Sequence, residues 1–328
     1  MTSKYFDFWQ SYNDTIYFHI CYTKEITDEL IEYIINSNIK KIIFIDNFFD
    51  CSGDLQIMKS STYYCDIGSS FNQDINLLKC EKLREIYFGK SFNKNISKLP
   101  KTIEILYFGD DFNQPIEFLP FNLLKLKFGS SFNQILTEIL PEKLEYLELG
   151  EEYNKWIKTF PQKLKIFIMG ARYNFTINNL PDSLEMIKFG RCFNKNIKKL
   201  PNNIIKLNFN ARFNKKIELY PSNLKQLIFG LRFNQPVNNL NNCLEYLEFG
   251  DDFNQPVDNL PFTINVIKFG KLFNNSVDYL PESVETLYFG KNFSQSLSNL
   301  PISVKDITLC EKKKSHGYIN QNIKVKYV

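Results

Sequence analysis

A short motif that returns every 20 residues constrains this chain more than any other feature. An aromatic followed by Asn (Ser294 in the last copy), then most often Gln or Lys, then a variable residue that is often Pro or Asn, then Ile, Val or Leu, opens at Phe92, Phe112, Phe132, Tyr153, Tyr173, Phe193, Phe213, Phe233, Phe253, Phe273 and Phe293. The step is 20 residues, except for one of 21 between Phe132 and Tyr153, and weaker copies at Phe71 and Phe48 bring the motifs to thirteen. A unit of this length cannot hold two ordinary helices and has no interior of its own. Neighbouring units must cover one another, so the chain must stack into a solenoid.

The unit Pro221 to Leu240, PSNLKQLIFGLRFNQPVNNL, shows what each position is for. Its apolar spacing predicts a strand over Lys225 to Phe229, with Leu227 and Phe229 facing in and Gln226 and Ile228 facing out. A tight turn at Gly230, an extended or 3₁₀ return carrying Phe233 and Val237, and a second turn complete the coil. The recurring glycine marks a bend that either needs positive φ or is approached too closely for a Cβ, and its replacement by Asn210 in one unit fits the first, because Asn tolerates that conformation better than other side chains. Proline, at Pro221 and its equivalents, sets φ at the turn before the strand. The motif asparagine, as at Asn234, is expected to form an internal amide ladder, since a polar group between two apolar anchors must find hydrogen-bond partners if it is buried.

The phrase FNQPV at 233–237 and again at 253–257, set inside LPxxLxxLxFGxxFNxxI, resembles the FNIP repeat family. That family is related to the leucine-rich repeats and is found in social amoebae and in giant DNA viruses that infect amoebae. The resemblance covers about 230 residues and implies a leucine-rich-repeat-like solenoid of the α/β type, predominantly β, with one parallel sheet and mostly extended or 3₁₀ returns. Here the asparagine stands eleven residues in, at Asn234 counted from Leu224, after an added aromatic, so its ladder is expected at a different corner of the coil. Family members similar to substrate receptors of ubiquitin ligases carry an F-box ahead of the repeats. Only one helical stretch precedes the repeats here, Ile26 to Ile35, and no Leu-Pro stands near its start. Three parts are therefore expected: an N-terminal cap with one helix over 1–38, a solenoid of about thirteen units over 39–310, and a C-terminal cap over 311–328. The tail IKVKYV alternates from Ile323 and is expected to add a strand over the last coil.

No catalytic, metal or cofactor site is expected. The two histidines, His19 and His316, lie outside the repeats, and no HExxH, GxSxG or phosphate-loop sequence occurs. Seven scattered cysteines, Cys21, Cys51, Cys65, Cys80, Cys192, Cys243 and Cys310, without a CxxC, argue for a reducing compartment. The absence of a signal-peptide pattern agrees with a cytoplasmic protein, the host cytoplasm if the source is viral. No run of 18 apolar residues suggests a membrane partner. A net charge of +4 over 328 residues is too small to imply nucleic acid by itself.

What remains is a surface. Outward strand positions mix Tyr, Ile and Met with charge, among them Tyr146, Met186, Lys188, Lys206 and Tyr246. Arg172, Arg191, Arg212 and Arg232 fall on one turn of four successive coils and form a basic stripe about 15 Å long, bracketed by Glu151 with Glu152 and by Asp251 with Asp252. These nine residues are the candidate contacts for a protein partner that offers an acidic segment. The expected function is a non-enzymatic protein-binding scaffold. The alternatives are a ubiquitin-ligase adaptor that docks a Skp1-type linker, and a structural, virion-associated protein.

Overall fold

The computed structural model describes residues 9–18, 23–44, 70–136, 140–177, 179–310 and 316–328. The motif at Phe48, the glycine at Gly68, His19, Cys21, Cys51 and Cys65 lie outside the described residues. The chain divides into two compact units, Met1–Leu164 and Lys165–Val328.

The first unit opens with a hairpin rather than with the helix alone. Strands β1 (Trp9–Tyr12) and β2 (Thr15–Phe18) pair antiparallel around Asn13-Asp14. Asn13 takes φ 52°, the left-handed conformation that a two-residue hairpin turn demands and that Asn supplies. The 20-residue period does not reach this segment, which is why the repeat gave no sign of it. Helix α1 (Asp28–Asn36) follows, capped by Thr27, whose hydroxyl accepts from the Leu30 N–H at 3.3 Å. Asp28 and Glu29 sit in its first turn, where carboxylates oppose the positive end of the helix dipole. Leu30, Ile31 and Ile34 form its buried stripe. Strands β3 (Lys41–Phe44), β4 (Glu85–Tyr87), β5 (Ile105–Tyr107), β6 (Lys125–Lys127) and β7 (Tyr146–Glu148) then add in parallel, each beside the one before.

The second unit is parallel in every strand pairing described. Its strands are β8 (Ile166–Ile168), β9 (Met186–Lys188), β10 (Lys206–Asn208), β11 (Gln226–Ile228), β12 (Tyr246–Glu248), β13 (Val266–Lys268), β14 (Thr286–Tyr288) and β15 (Asp306–Leu309). The alternating tail forms β16 (Lys324–Tyr327), in parallel register with β15. The 20-residue repeat is also the register: Leu207 faces Leu227, Leu227 faces Leu247, and all three are fully buried.

The repeat strands β4 to β14 are each three residues long where five were expected. The reason is a shared acceptor: the N–H groups of Lys225 and Gln226 both donate to the Ile205 carbonyl, at 2.9 and 3.0 Å. The regular ladder begins only after it. Two turns shape the rest of the coil, closed by Phe233 N–H to Gly230 O and by Leu224 N–H to Pro221 O, both 3.2 Å. The returns are extended, and no 3₁₀ helix occurs among the described residues.

Stacked rings fill the core beside the strand leucines. Phe229 and Phe233 stack within a coil at 3.6 Å between centroids, and each stacks on its equivalent in the next coil, Phe249 at 5.8 Å and Phe253 at 6.2 Å. The file ends at His316, which lies 18° from the plane of Phe293 at 5.6 Å and is 5% exposed. Its imidazole occupies the place of the next aromatic.

Of the two causes open to the glycine, the structure shows close approach and not the positive φ that Asn210 favoured. Gly250 has no positive φ, but a Cβ there would stand 2.0 Å from the Gly230 carbonyl oxygen, and Gly109, Gly129, Gly150, Gly190, Gly230, Gly270 and Gly290 meet the same obstacle. Successive coils approach too closely at this corner for a side chain. Asn210, whose φ is not positive either, sits beside the Phe189–Phe193 pair, which is tilted by 40° where the equivalent pairs lie within 19°.

Candidate functional site

The motif asparagines form a ladder, but on the surface. In the second unit Asn174, Asn194, Asn214, Asn234 and Asn254 each accept, through Oδ1, the backbone N–H of the same position in the following coil at 2.9–3.1 Å, and Asn274 accepts from Ser294. The first unit repeats the pattern from Asn72 to Asn154. These residues are half-buried or exposed rather than internal. Where glutamine follows, it adds a second bond: Gln235 and Gln255 donate through Nε2 to Asn214 and Asn234 Oδ1 at 3.0 Å, so these two rungs are double, whereas the rungs followed by Lys195 and Lys215 carry the backbone bond alone. This edge is committed to holding coils together.

The outer sheet face is different in kind from place to place. In the first unit Tyr146 donates to Glu148, and Lys127 pairs with the same carboxylate at 3.4 Å. Tyr87 donates to Glu85 at 2.9 Å, and Lys41 pairs with Glu85 at 3.2 Å. Partial burial first, and the neighbouring carboxylate second, hold the Tyr87 and Tyr146 hydroxyls above the ordinary phenol range. They stay protonated and donate. In the second unit Tyr246 donates to Glu248, while Lys268 lies over the Tyr246 and Tyr288 rings at 5.4 and 5.1 Å and pairs with Glu248 at 3.7 Å. Tyr146 and Tyr246 are thus occupied within their own strands' networks.

Between β8 and β12 the face is not self-satisfied. Lys188 on β9 faces Asn208 on β10, and Lys206 on β10 faces Met186 on β9 and Gln226 on β11. Neither lysine has an ion-pair partner among the described residues. Ile166, Ile168 and Ile228 are half-buried around them. The structure therefore brings Met186, Lys188 and Lys206 together on one patch of the second unit and places Tyr146 in the first.

All four arginines are exposed on the turn after the strand, but not in one row. Arg172, Arg212 and Arg232 take its second position and Arg191 its first, as the bonds Cys192 N–H to Ala171 O and Arg212 N–H to Arg191 O show. The acidic turn residues have structural duties: Asp251 pairs with Lys271 at 2.7 Å, and Asp110 accepts from Ser130. Among the described residues no three His, Cys, Asp or Glu side chains gather as a metal would require, and no helix is long and apolar enough to cross a membrane.

Comparison with known proteins agrees with this architecture. The chain resembles the structure of CroV588, described as a novel circular LRR protein, with 25% identity and a TM-score of 0.57 over 95% of this chain. The match spans 55% of that chain's length. An internalin, inlF of Listeria monocytogenes, aligns over 95% of this chain and 86% of its own at 13% identity and a TM-score of 0.50, which speaks to the fold alone. No curated protein matches the sequence. The FNIP Repeat family model matches seven segments, of which the first four overlap: 92–131, 112–152, 132–165, 153–192, 193–231, 233–272 and 273–312. With most of its length covered by that repeat, folded into short parallel strands joined by asparagine rungs, the chain is a member of the FNIP repeat family.

Proposed function

We propose that the protein is a non-enzymatic scaffold that captures an acidic segment of a protein partner on the outer face of β9 to β11. The carrying observation is two unmatched lysines on adjoining strands, where Lys41, Lys127 and Lys268 on the same kind of face are each matched by a carboxylate. Lys268 two strands beyond the patch is held by Glu248 and two rings, whereas Lys188 and Lys206 have no carboxylate among the described residues. Arg191, Arg212 and Arg232 extend the same sign around the adjoining corner. A partner carboxylate there gains charge-assisted hydrogen bonds without displacing an existing pair. The likeness to CroV588, a circular LRR protein, supports the repeat-scaffold part of this reading, and a partner in the host cytoplasm is part of the proposal.

The ubiquitin-ligase alternative rests on the family resemblance alone. Ahead of β3 the described residues supply one helix and a β-hairpin. Changing Arg172, Arg191, Arg212 and Arg232 together to Glu, in a full-length protein used as bait, is expected to abolish capture of acidic peptides from a displayed library while leaving the melting curve in place. Capture with undiminished affinity by that variant refutes the proposal.

A further inference from the structure

The net charge of +4 conceals a strong segregation. Residues 186–232 contain eleven lysines and arginines against one carboxylate, Glu218, a net +10, so the rest of the chain is negative. Only one of these eleven, Lys225, has an ion-pair partner among the described residues, Glu245 at 2.9 Å. Half of the remaining ten lie on the return segments, on the side of the coil away from the sheet: Lys195, Lys198 and Lys199 in one coil, Lys215 and Lys216 in the next.

Their placement follows from the repeat. Ile197 and Ile217 turn inward, 6% and 2% exposed, so the residues beside them turn out. Lys198, Lys199 and Lys216 are exposed, and Lys195 and Lys215 are half-buried. The two coils lie about 6 Å apart here, as the Phe193–Phe213 ring distance of 6.1 Å shows. Each run of five extended residues covers roughly 15 Å around the coil. Five ammonium groups and one exposed carboxylate, Glu218, therefore share one small face with a net charge of +4, with the amide of Asn196 exposed among them.

We infer that this return face binds the phosphate backbone of nucleic acid. The composition decides between polyanions. No aromatic is exposed between residues 186 and 232. Protein interfaces draw their affinity from buried aromatic and arginine anchors, and this face has lysines without such an anchor. Phosphate backbones need none, because neutralising them releases condensed counterions, and lysine and amide contacts suffice. With no ring to stack on a base, binding is independent of sequence. The expectation drawn from the whole-chain charge averaged over this segregation. The inference rests on residues other than the sheet-face lysines and stands or falls separately from the proposal above.

The test is fluorescence anisotropy with a labelled 20-base-pair DNA duplex and a 20-nucleotide RNA, across 50–300 mM salt. Wild type is expected to bind both, with log Kd rising against log salt at a slope of about 4.5 for the duplex and about 3.5 for the single strand, as five phosphate contacts require. Replacing the five lysines by Glu should abolish binding, and replacing them by Gln should weaken it and flatten the slope. Reversing five lysines of the first unit, Lys79, Lys82, Lys94, Lys98 and Lys101, makes the same change in net charge and should leave Kd within threefold. Changing Lys188 and Lys206 should also leave it within threefold. The inference is overturned if wild type fails to bind at 50 mM salt, or if the two sets of five reversals act alike. It is equally overturned if the face takes poly-glutamate or phosphatidylserine vesicles in preference to nucleic acid.

Discussion

Replacing Gly250 by Ala tests the account of the repeat glycine, because a demand for positive φ and a demand for space predict different behaviour. The added methyl would stand 2.0 Å from Gly230 O, 2.4 Å from Gly230 C and 2.7 Å from Leu231 Cα, all backbone atoms that cannot rotate away. Ordinary contact begins at 3.4 Å, so the two coils must part by about 1.4 Å. That opening stretches the Asp252 N–H to Leu231 O bond beyond its 2.8 Å and the Asn254 N–H to Asn234 Oδ1 bond beyond its 3.0 Å. It also disturbs the stacking of Phe233 on Phe253 at 6.2 Å. Two hydrogen bonds at about 1 kcal/mol each and one aromatic contact at about 1 kcal/mol give a loss of about 3 kcal/mol. The transition temperature should fall by roughly 5–10 °C. Circular dichroism melting of the variant, beside an Asp252→Ala control on the same turn, measures it. Gly250→Asn discriminates further: if φ were the constraint, Asn would rescue most of the loss, whereas crowding makes it no better than Ala. A melting curve for Gly250→Ala within 1 °C of wild type, or rescue by Asn, refutes the close-approach argument.

Three other outcomes follow from the geometry. The Tyr220 hydroxyl is buried without a hydrogen-bond partner, and burial holds it above the ordinary phenol range, so Tyr220→Phe should stabilise the protein by about 1 kcal/mol in urea unfolding. Asn234→Ala removes an acceptor shared by Asn254 N–H and Gln255 Nε2, but water reaches this edge, so the loss should be near 1 kcal/mol, below the cost of a buried orphan, by the same assay. Burial pushes the Cys80 thiol up to about 11, so native protein at pH 8 should be alkylated at exposed Cys243 and spared at Cys80, as peptide mapping would show. The sign for stability follows: the contribution of keeping Cys80 protonated is complete below the ordinary thiol pKa and fades as pH rises through about 11.

Much of the fold was legible because each coil repeats the same local code. The spacing of Leu224, Leu227, Phe229 and Phe233 named the inward positions, and those four side chains are 0–3% exposed. The turn residues Pro221 and Gly230 marked both bends. The hairpin over residues 9–18 was missed because it stands outside the period, although its alternating pattern around Asn13-Asp14 carried the signal.

Period, inward anchors, turns and parallel stacking were thus determined by the sequence alone, since they depend on residues within one unit and on its repetition. Only the tertiary structure decided three further matters. The glycine serves close approach rather than φ, because its obstacle is the carbonyl of a residue 20 positions earlier. The Asn ladder runs along a wet edge, because the chain turns the motif aromatic inward and its neighbour out. The free cations stand apart from the paired ones because pairing depends on which charges meet across a coil boundary, and the register sets Lys225 opposite Glu245 while Lys188 meets Asn208. Each of these is a relation between coils, which a one-dimensional pattern lists as separate letters and stacking brings within a few ångströms.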